Sequence, residues 1–240
     1  MKNTAGIRHF LAASFVIAIA LIICALIARS TIIRVKSFGR TISVTGAAFK
    51  PIRSDFAVWD ASLSVTMPDL ESAYSRLDRD IKMARQFLAN NGFTEADYEV
   101  KGVQIMKQYD RDRQPTGFML SQSIRLELDD VDRIKKLSLD ASTLIEKGVE
   151  LTSFNPRYLF TGLDTLKLEM IRAATENARM RAQQLAETTG RKVGAPTSAG
   201  VGVFQIRPLH SQEVSSYGIS DVSSIEKEIV CTVHISFLIE

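Results

Sequence analysis

The residues best suited to chemistry in this sequence are a cysteine and a histidine near its end. Cys231 and His234 form a C-x-x-H pair, and thiolate and imidazole are ligands that zinc prefers. They lie in an alternating apolar stretch, "IVCTVHISF", which predicts a β-strand. Successive side chains of a strand point to opposite faces, so residues three apart cannot share one ion. The sequence therefore predicts no metal site here, with Cys231 in the core and His234 facing outward.

Motifs of the common catalytic and nucleotide-binding sites do not occur. The chain contains no P-loop, G-x-S-x-G, H-E-x-x-H or C-x-x-C pattern. Gly200-x-Gly202 is too short for a dinucleotide fingerprint, and no helix is predicted after it. Asp129 and Asp130 stand at a predicted helix start, where carboxylates stabilise the N-terminus. We therefore predict no catalytic, cofactor-binding or metal-binding residues, and a protein that is not an enzyme.

Two alternatives remain open at this stage. One is a small-molecule binder or redox enzyme that uses Cys231, since the second cysteine, Cys24, lies in the apolar N-terminal run and is not expected to pair with it. The other is a cytoplasmic-facing nucleic-acid-binding protein, suggested by arginines near residues 172–181. Against it, the net charge is only +3, no block of like charges occurs, and glutamates interleave with those arginines. No nucleic-acid partner is expected.

The N-terminal segment has the composition of a membrane anchor. Phe10 to Ala28 reads "FLAASFVIAIALIICALIA", which is uncharged and spans about 28 Å as a helix, close to one hydrocarbon thickness. We predict a cytoplasmic stub over residues 1–9, a transmembrane anchor over 10–28 and a tether over 29–40. A cleaved signal peptide is the alternative, but cleavage after Ala20 would leave an apolar remnant. The basic residues that flank the span mildly favour a cytoplasmic C-terminal domain.

Strand and helix patterns alternate from residue 41 to the end. Period-two alternation predicts strands near residues 41–46, 56–65, 99–109, 118–128, 149–154, 200–206 and 229–237. Capping residues and apolar stripes predict helices from Asp69 to Asn91, from Asp129 or Asp130 to Gly148, and from Asp164 to Thr189. Strand pairs separated by single helices predict an α+β fold, with antiparallel sheets, three amphipathic helices packed on them and one N-terminal transmembrane helix.

The third predicted helix carries alanines at every fourth position. Residues four apart share one ridge of a helix, and alanine lets that ridge approach another backbone closely. We therefore interpret this face as a packing surface with a solvated, mixed-charge back. The alanines are Ala174, Ala178, Ala182 and Ala186.

These residues also carry a family resemblance. The pattern A-x-x-x-A-R-x-x-A-x-x-L-A-x-x-x-G-x-x-x-G, from Ala174 to Gly194, resembles the SIMPL-domain family, which includes bacterial periplasmic immunogenic proteins and oxidative-stress-defence proteins. "ISVTGAA" near the start and "LTSFNPRYLF" before the long helix agree with it. The resemblance runs from Ile42 to the C-terminus and implies a SIMPL-like domain over residues 41–240.

What the resemblance implies is a cell-envelope protein without established catalytic residues. Some members are linked to oxidative-stress tolerance, and some assemble into large homo-oligomers. We expect a single-pass inner-membrane protein with its C-terminal domain in the periplasm, against the mild bias of the flanking charges. The expected partners are the lipid bilayer, through the N-terminal helix, and further copies of the chain. The expected function is self-assembly or protein contact, in oxidative or envelope stress defence.

Overall fold

A computed structural model describes Ile19, residues 21–29 and residues 40–240. The described residues before position 30 are helical and exposed. None of the helices in the described parts of the chain is both long enough and apolar enough to cross a membrane. The predicted stub, residues 10–18 and 20 of the predicted anchor, and residues 30–39 of the predicted tether lie outside the described residues.

Residues 40–240 form an α+β structure with mainly antiparallel strand pairing. The strands are β1 (Thr41–Arg53), β2 (Phe56–Met67), β3 (Tyr98–Val100), β4 (Gln104–Tyr109), β5 (Pro115–Leu128), β6 (Leu151–Ser153), β7 (Arg157–Leu159), β8 (Val193–Val201), β9 (Gln205–Pro208), β10 (Ile219–Ser220) and β11 (Glu226–Ile239). The helices are α1 (Leu70–Asn90), α2 (Val131–Asp140), α3 (Ser142–Glu146) and α4 (Leu163–Thr188).

The chain divides into two compact units. The first unit contains the described residues up to Ala48, together with Ile171–Gly202 and Thr232–Glu240. The second unit contains Phe49–Met170 and Val203–Cys231. β1, α4 and β11 each contribute residues to both units.

The second unit is built on a sheet with the order β3-β5-β2-β6, where β4 also pairs with β5 and β7 with β2. In β2, every second residue from Ala57 to Val65 is buried, as the alternation predicts. Trp59 is a core residue opposite Leu126, and its Nε1 donates to Ser153 Oγ at 3.1 Å. α1, α2 and α3 bury their apolar stripes in the same core.

The helix-capping predictions are confirmed. Asp69 Oδ1 accepts a hydrogen bond from Ser72 N at 2.8 Å, and Asp130 Oδ1 accepts one from Arg133 N at 3.0 Å. Gly92 follows α1 in the left-handed region, with φ at 81°.

Several predicted residues and boundaries of the helices are wrong. The apolar periodicity of the sequence also predicts that Leu70 and Tyr74 are buried on α1, but both are exposed, because Ala73 and Leu77 carry the contact at this end of the helix. The second predicted helix is two helices that meet at buried Ala141, and Ile145 is exposed. Four helices therefore follow residue 40, not three.

Strand boundaries also differ from the prediction. The predicted strand at 99–109 is two strands, and at the break Gln122 Nε2 donates to Lys101 O at 2.8 Å. The predicted strand at 200–206 is the end of β8 and the start of β9. β7 and β10 were not predicted, because strands of two or three residues are too short for an alternating pattern.

The first unit contains the end of α4 and parts of three strands. β8 pairs antiparallel with β11, with Val233 opposite Val201, and β11 also pairs with β1 and, in the second unit, with β9. α4 ends as predicted, since Gly190 has φ at 68° and Arg191 N donates to Ala186 O at 2.8 Å.

Candidate functional site

The predicted orientations of Cys231 and His234 are confirmed. Cys231 is buried, whereas His234 is exposed and its Nδ1 lies 2.9 Å from Thr45 Oγ1. Burial raises the pKa of the Cys231 thiol, so little reactive thiolate forms near neutral pH. Among the described residues, no group of three or more His, Cys, Asp or Glu side chains is placed to hold a metal. The structure thus gives no support to thiol chemistry at this position.

Sequence reasoning missed two hydroxyl contacts in the first unit. Thr45 meets His234, and Ser43 Oγ lies 2.8 Å from Ser236 Oγ. Both contacts join exposed side chains on β1 to side chains on β11. Such cross-strand pairs stabilise a sheet, and water competes for them at an exposed face. We interpret them as sheet contacts, which no spacing within one strand could have revealed.

The alanine face of α4 packs on β1 in the first unit. The four alanines are all buried, and Gly46 of the "ISVTGAA" stretch faces them. A Cβ placed on Gly46 would lie 2.5 Å from Ala178 N and 2.7 Å from Ala178 Cβ, and nearer still to Ala174 O. Ala47 N also donates to Asn177 Oδ1 at 3.1 Å. Two of the three motifs that carry the family resemblance are therefore the two sides of one close packing contact.

The polar back of α4 does not form a phosphate-binding stripe. Arg172, Glu176 and Arg179 are all exposed, so charges of both signs share the surface. Arg181 Nη1 donates to Thr45 O at 3.0 Å, so that guanidinium is hydrogen-bonded to β1. The helical pattern predicts that Leu185 adds apolar packing area beside the alanines, but Leu185 is exposed. This arrangement favours a solvated face over a nucleic-acid surface.

Buried polar side chains hold the serine-rich loop of the second unit, residues 211–224. Gln205 Nε2 donates to Ser215 O at 2.7 Å, and Arg207 Nη1 donates to Glu213 O at 3.1 Å. Lys227 is 2% exposed, and its Nζ donates to Tyr158 O at 2.5 Å and to Asp221 O at 2.6 Å. These donors bind carbonyls of the loop and of the neighbouring strand β7, and Ser215 O also accepts a hydrogen bond from Gly218 N.

The pKa of Lys227 is set by its burial and by one nearby carboxylate. Burial lowers its pKa, while the nearby Asp221 carboxylate acts in the opposite direction. Both of its described partners are carbonyl oxygens of the fold, so we assign Lys227 a structural role. The loop that it holds presents Val214 and Tyr217 to solvent, the latter 95% exposed.

The edge strand β4 is the most exposed apolar part of the sheet in the second unit. Ile105, Met106 and Tyr109 are 57%, 63% and 56% exposed. In the part of the chain that the structure describes, β4 pairs only with β5. An edge of this kind offers unpaired backbone groups and apolar side chains together, which is the chemistry of a protein-contact surface.

The hairpin that carries β4 is ordered by its own turn. Asp110 Oδ1 accepts hydrogen bonds from Asp112 N at 2.9 Å and Gln114 N at 2.8 Å. Arg113 takes a left-handed conformation, with φ at 61°. Because the turn is fixed, β4 is presented as an extended strand, and a partner that pairs with it would order little additional chain.

Comparisons with known proteins identify the domain. The model of a family described as "SIMPL: Protein of unknown function (DUF541)" matches residues 42–237, which confirms the resemblance. No curated protein matches the chain.

Similarity to solved structures is weak. The chain resembles "De novo designed protein Foldit4" at 16% identity, over 41% of this chain and 93% of that one, with a TM-score of 0.25. It resembles a putative amidohydrolase/peptidase from Burkholderia cenocepacia at 14% identity, over 51% and 32%, with a TM-score of 0.22. The regulatory subunit of aspartate kinase from Thermus thermophilus, in its ligand-free form, matches at 12% identity over 79% and 88%, with a TM-score of 0.19.

Proposed function

Because this chain belongs to the SIMPL family, we propose that it is a membrane-anchored, non-enzymatic protein of the bacterial cell envelope that acts through self-assembly or other protein contacts. The observation that carries the proposal is the exposed apolar edge of β4. It lies in a domain whose best thiol, Cys231, is buried. Burial leaves that thiol out of reach of a substrate, whereas the strand edge is open to a protein partner.

The membrane part of the proposal depends on the N-terminal sequence. The uncharged run from Phe10 to Ala28 has the length and composition of a transmembrane helix. The family relationship favours a domain outside the cytoplasm, where a role in oxidative or envelope stress defence would be exerted. Anchoring would also confine the domains to one plane and so raise their effective concentration for self-assembly.

A topology reporter tests the location. The full chain carries, after Glu240, a reporter enzyme that is active only outside the cytoplasm, and a second version carries one that is active only inside it. We expect activity from the first fusion alone, in the membrane fraction. Activity of the cytoplasmic reporter alone would reject the envelope location and favour the nucleic-acid-binding alternative.

A further inference from the structure

We propose that β4 pairs antiparallel with β4 of a second copy of this chain, about a two-fold axis at Met106. This inference rests on the proposed function, since it names the partner of the exposed edge. It is carried by the direction of the free backbone groups, by the self-complementarity of the strand and by the exposure of its apolar side chains.

The backbone direction follows from the turn after β4. Asp110 N donates to Gln114 O at 2.9 Å, so the N–H of residue 110 points toward β5. Backbone groups of alternate residues point to opposite sides of a strand, so those of Ile105, Lys107 and Tyr109 point away from β5. Pro115, opposite Tyr109, has no N–H to donate to that residue, which agrees with this direction. The edge therefore presents the unpaired groups of three residues to a partner.

The faces of the strand decide which registers are allowed. A two-fold axis perpendicular to a sheet keeps each face continuous across an antiparallel pair, so the axis must pass through a residue position. An axis at Lys107 would place two lysines directly opposite each other, which is destabilising. An axis at Ile105 would leave Lys107, Gln108 and Tyr109 opposite residues that lie outside β4, whereas an axis at Met106 leaves only Tyr109 in that position.

An axis at Met106 places side chains of the same type opposite each other on one face of the strand pair. Met106 lies opposite Met106 of the second copy on one face, and Gln104 lies opposite Gln108, where their amides can exchange hydrogen bonds. On the other face, Ile105 lies opposite the stem of Lys107 and diagonal to Ile105 of the second copy. No two like charges within β4 are directly opposite in this register, and Lys107 is only diagonal to Lys107 of the second copy.

The size of the contact fits a protein held in a membrane. A strand of six residues spans about 20 Å, and pairing it would bury less area than most stable dimers in solution. Confinement to one plane, which the proposed anchor would supply, offsets the small area by raising the effective concentration.

Disulfide cross-linking tests the register. In a Cys24→Ser background, Met106→Cys places two thiols directly opposite at the axis, in a non-hydrogen-bonded pair whose spacing suits a disulfide. The control is Met119→Cys, because Met119 faces Met106 on β5 and is one strand further from the axis in each copy. We expect mild oxidation of the membrane-bound protein to cross-link Met106→Cys at least about tenfold faster than Met119→Cys.

Two substitutions of opposite charge at Ile105 test whether β4 forms the interface. Ile105→Lys would put lysine opposite Lys107 of the second copy, whereas Ile105→Glu would put a carboxylate there, and both variants replace the same exposed side chain. We expect association of Ile105→Lys to be roughly tenfold weaker than that of Ile105→Glu.

The outcomes distinguish this inference from the proposed function. Wild-type protein that is oligomeric, with no Met106→Cys cross-link and equal association of the two Ile105 variants, would overturn the β4 interface and leave self-assembly standing. Protein that is monomeric throughout would overturn both. A cross-link to a different protein in place of the second copy would also reject the proposal.

Discussion

At the scale of single residues, the main finding is that the buried polar side chains are engaged by the fold. Lys227 donates to two backbone carbonyls, and Arg207 pairs with Glu228 at 2.8 Å. Among the described residues, every buried side-chain nitrogen or oxygen has a hydrogen-bond partner. A ligand site often shows a buried donor aimed at an empty space, and Lys227 and Arg207 are instead aimed at the chain itself.

Replacement of Lys227 tests this structural role. Lys227→Met keeps the volume but leaves Tyr158 O and Asp221 O without a buried donor, so we expect the free energy of unfolding to fall by about 1–3 kcal/mol at neutral pH. The control is Lys136→Met, the same change at an exposed position, which should cost less than about 0.5 kcal/mol. Denaturant titration measures both. Equal losses would mean that the buried contacts of Lys227 add no stability.

The lowered pKa of Lys227 predicts that the stability difference between the wild type and Lys227→Met depends on pH. Burial lowers that pKa in the folded state below the ordinary value of 10.5, so the unfolded chain binds more protons as the pH approaches 10.5. Wild-type stability should therefore rise with pH in that window relative to Lys227→Met, and the difference between them should widen. If the stability difference between the wild type and Lys227→Met narrows as the pH rises, the folded state favours the charged lysine instead.

The sequence could predict residue positions only where a periodic pattern exists. Alternation in β11 correctly placed Cys231 inside and His234 outside. Alternation extended two residues back from Ile229 would place Lys227 on the inward face of β11, but it does not reveal the carbonyl of Asp221 in the loop 211–224 that the buried ammonium contacts. The contact between Thr45 and His234 was likewise hidden, since it joins strands that are far apart along the chain.

At the scale of the elements, the contact between β1 and α4 explains why small residues recur in both. Gly46 lets the strand backbone lie against the helix backbone, and the buried alanines extend this approach along the ridge. The prediction of a packing face is therefore confirmed, and its partner, which the sequence did not indicate, is β1.

Substitutions on both sides of this contact should be destabilising. Gly46→Ala would force a Cβ into the backbone of α4, and Ala182→Leu would overpack the same ridge; we expect each to lower the free energy of unfolding by about 1–3 kcal/mol. The controls are Gly200→Ala, where an added Cβ meets nothing within 4 Å, and Arg179→Ala on the exposed face. If Gly46→Ala and Gly200→Ala unfold at the same denaturant concentration, the close contact is not formed.

The existence of long elements was predictable, but their ends were not. The 21 residues of α1 and the 14 residues of β11 carry long apolar patterns with clear limits. By contrast, at the break between β3 and β4 the carbonyl of Lys101 accepts a hydrogen bond from Gln122, a side chain of the neighbouring strand β5. Such contacts between distant residues override local propensity, and no local pattern records them.

At the scale of the whole molecule, the proposed membrane anchoring and self-association depend on one strand edge, β4, and one apolar segment, residues 10–28. β4 could be predicted as a strand, but its position at the edge of the sheet follows only from the order of the strands. The exposure of Ile105, Met106 and Tyr109 was therefore not visible in the sequence. These features together lead from a family of unknown function to the proposal of an anchored protein that associates with itself.

The central claim is tested most directly by the mass of the full chain in detergent. Light scattering combined with size exclusion, corrected for bound detergent, should give a multiple of the 26.6 kDa protomer when protein outnumbers micelles. Under that condition anchors share a micelle, which raises their effective concentration as a membrane plane would. Ile105→Lys should shift the mass toward the protomer, because it opposes Lys107 of the second copy. A wild-type mass of 26.6 kDa at every concentration, with no co-purifying partner, would contradict the account.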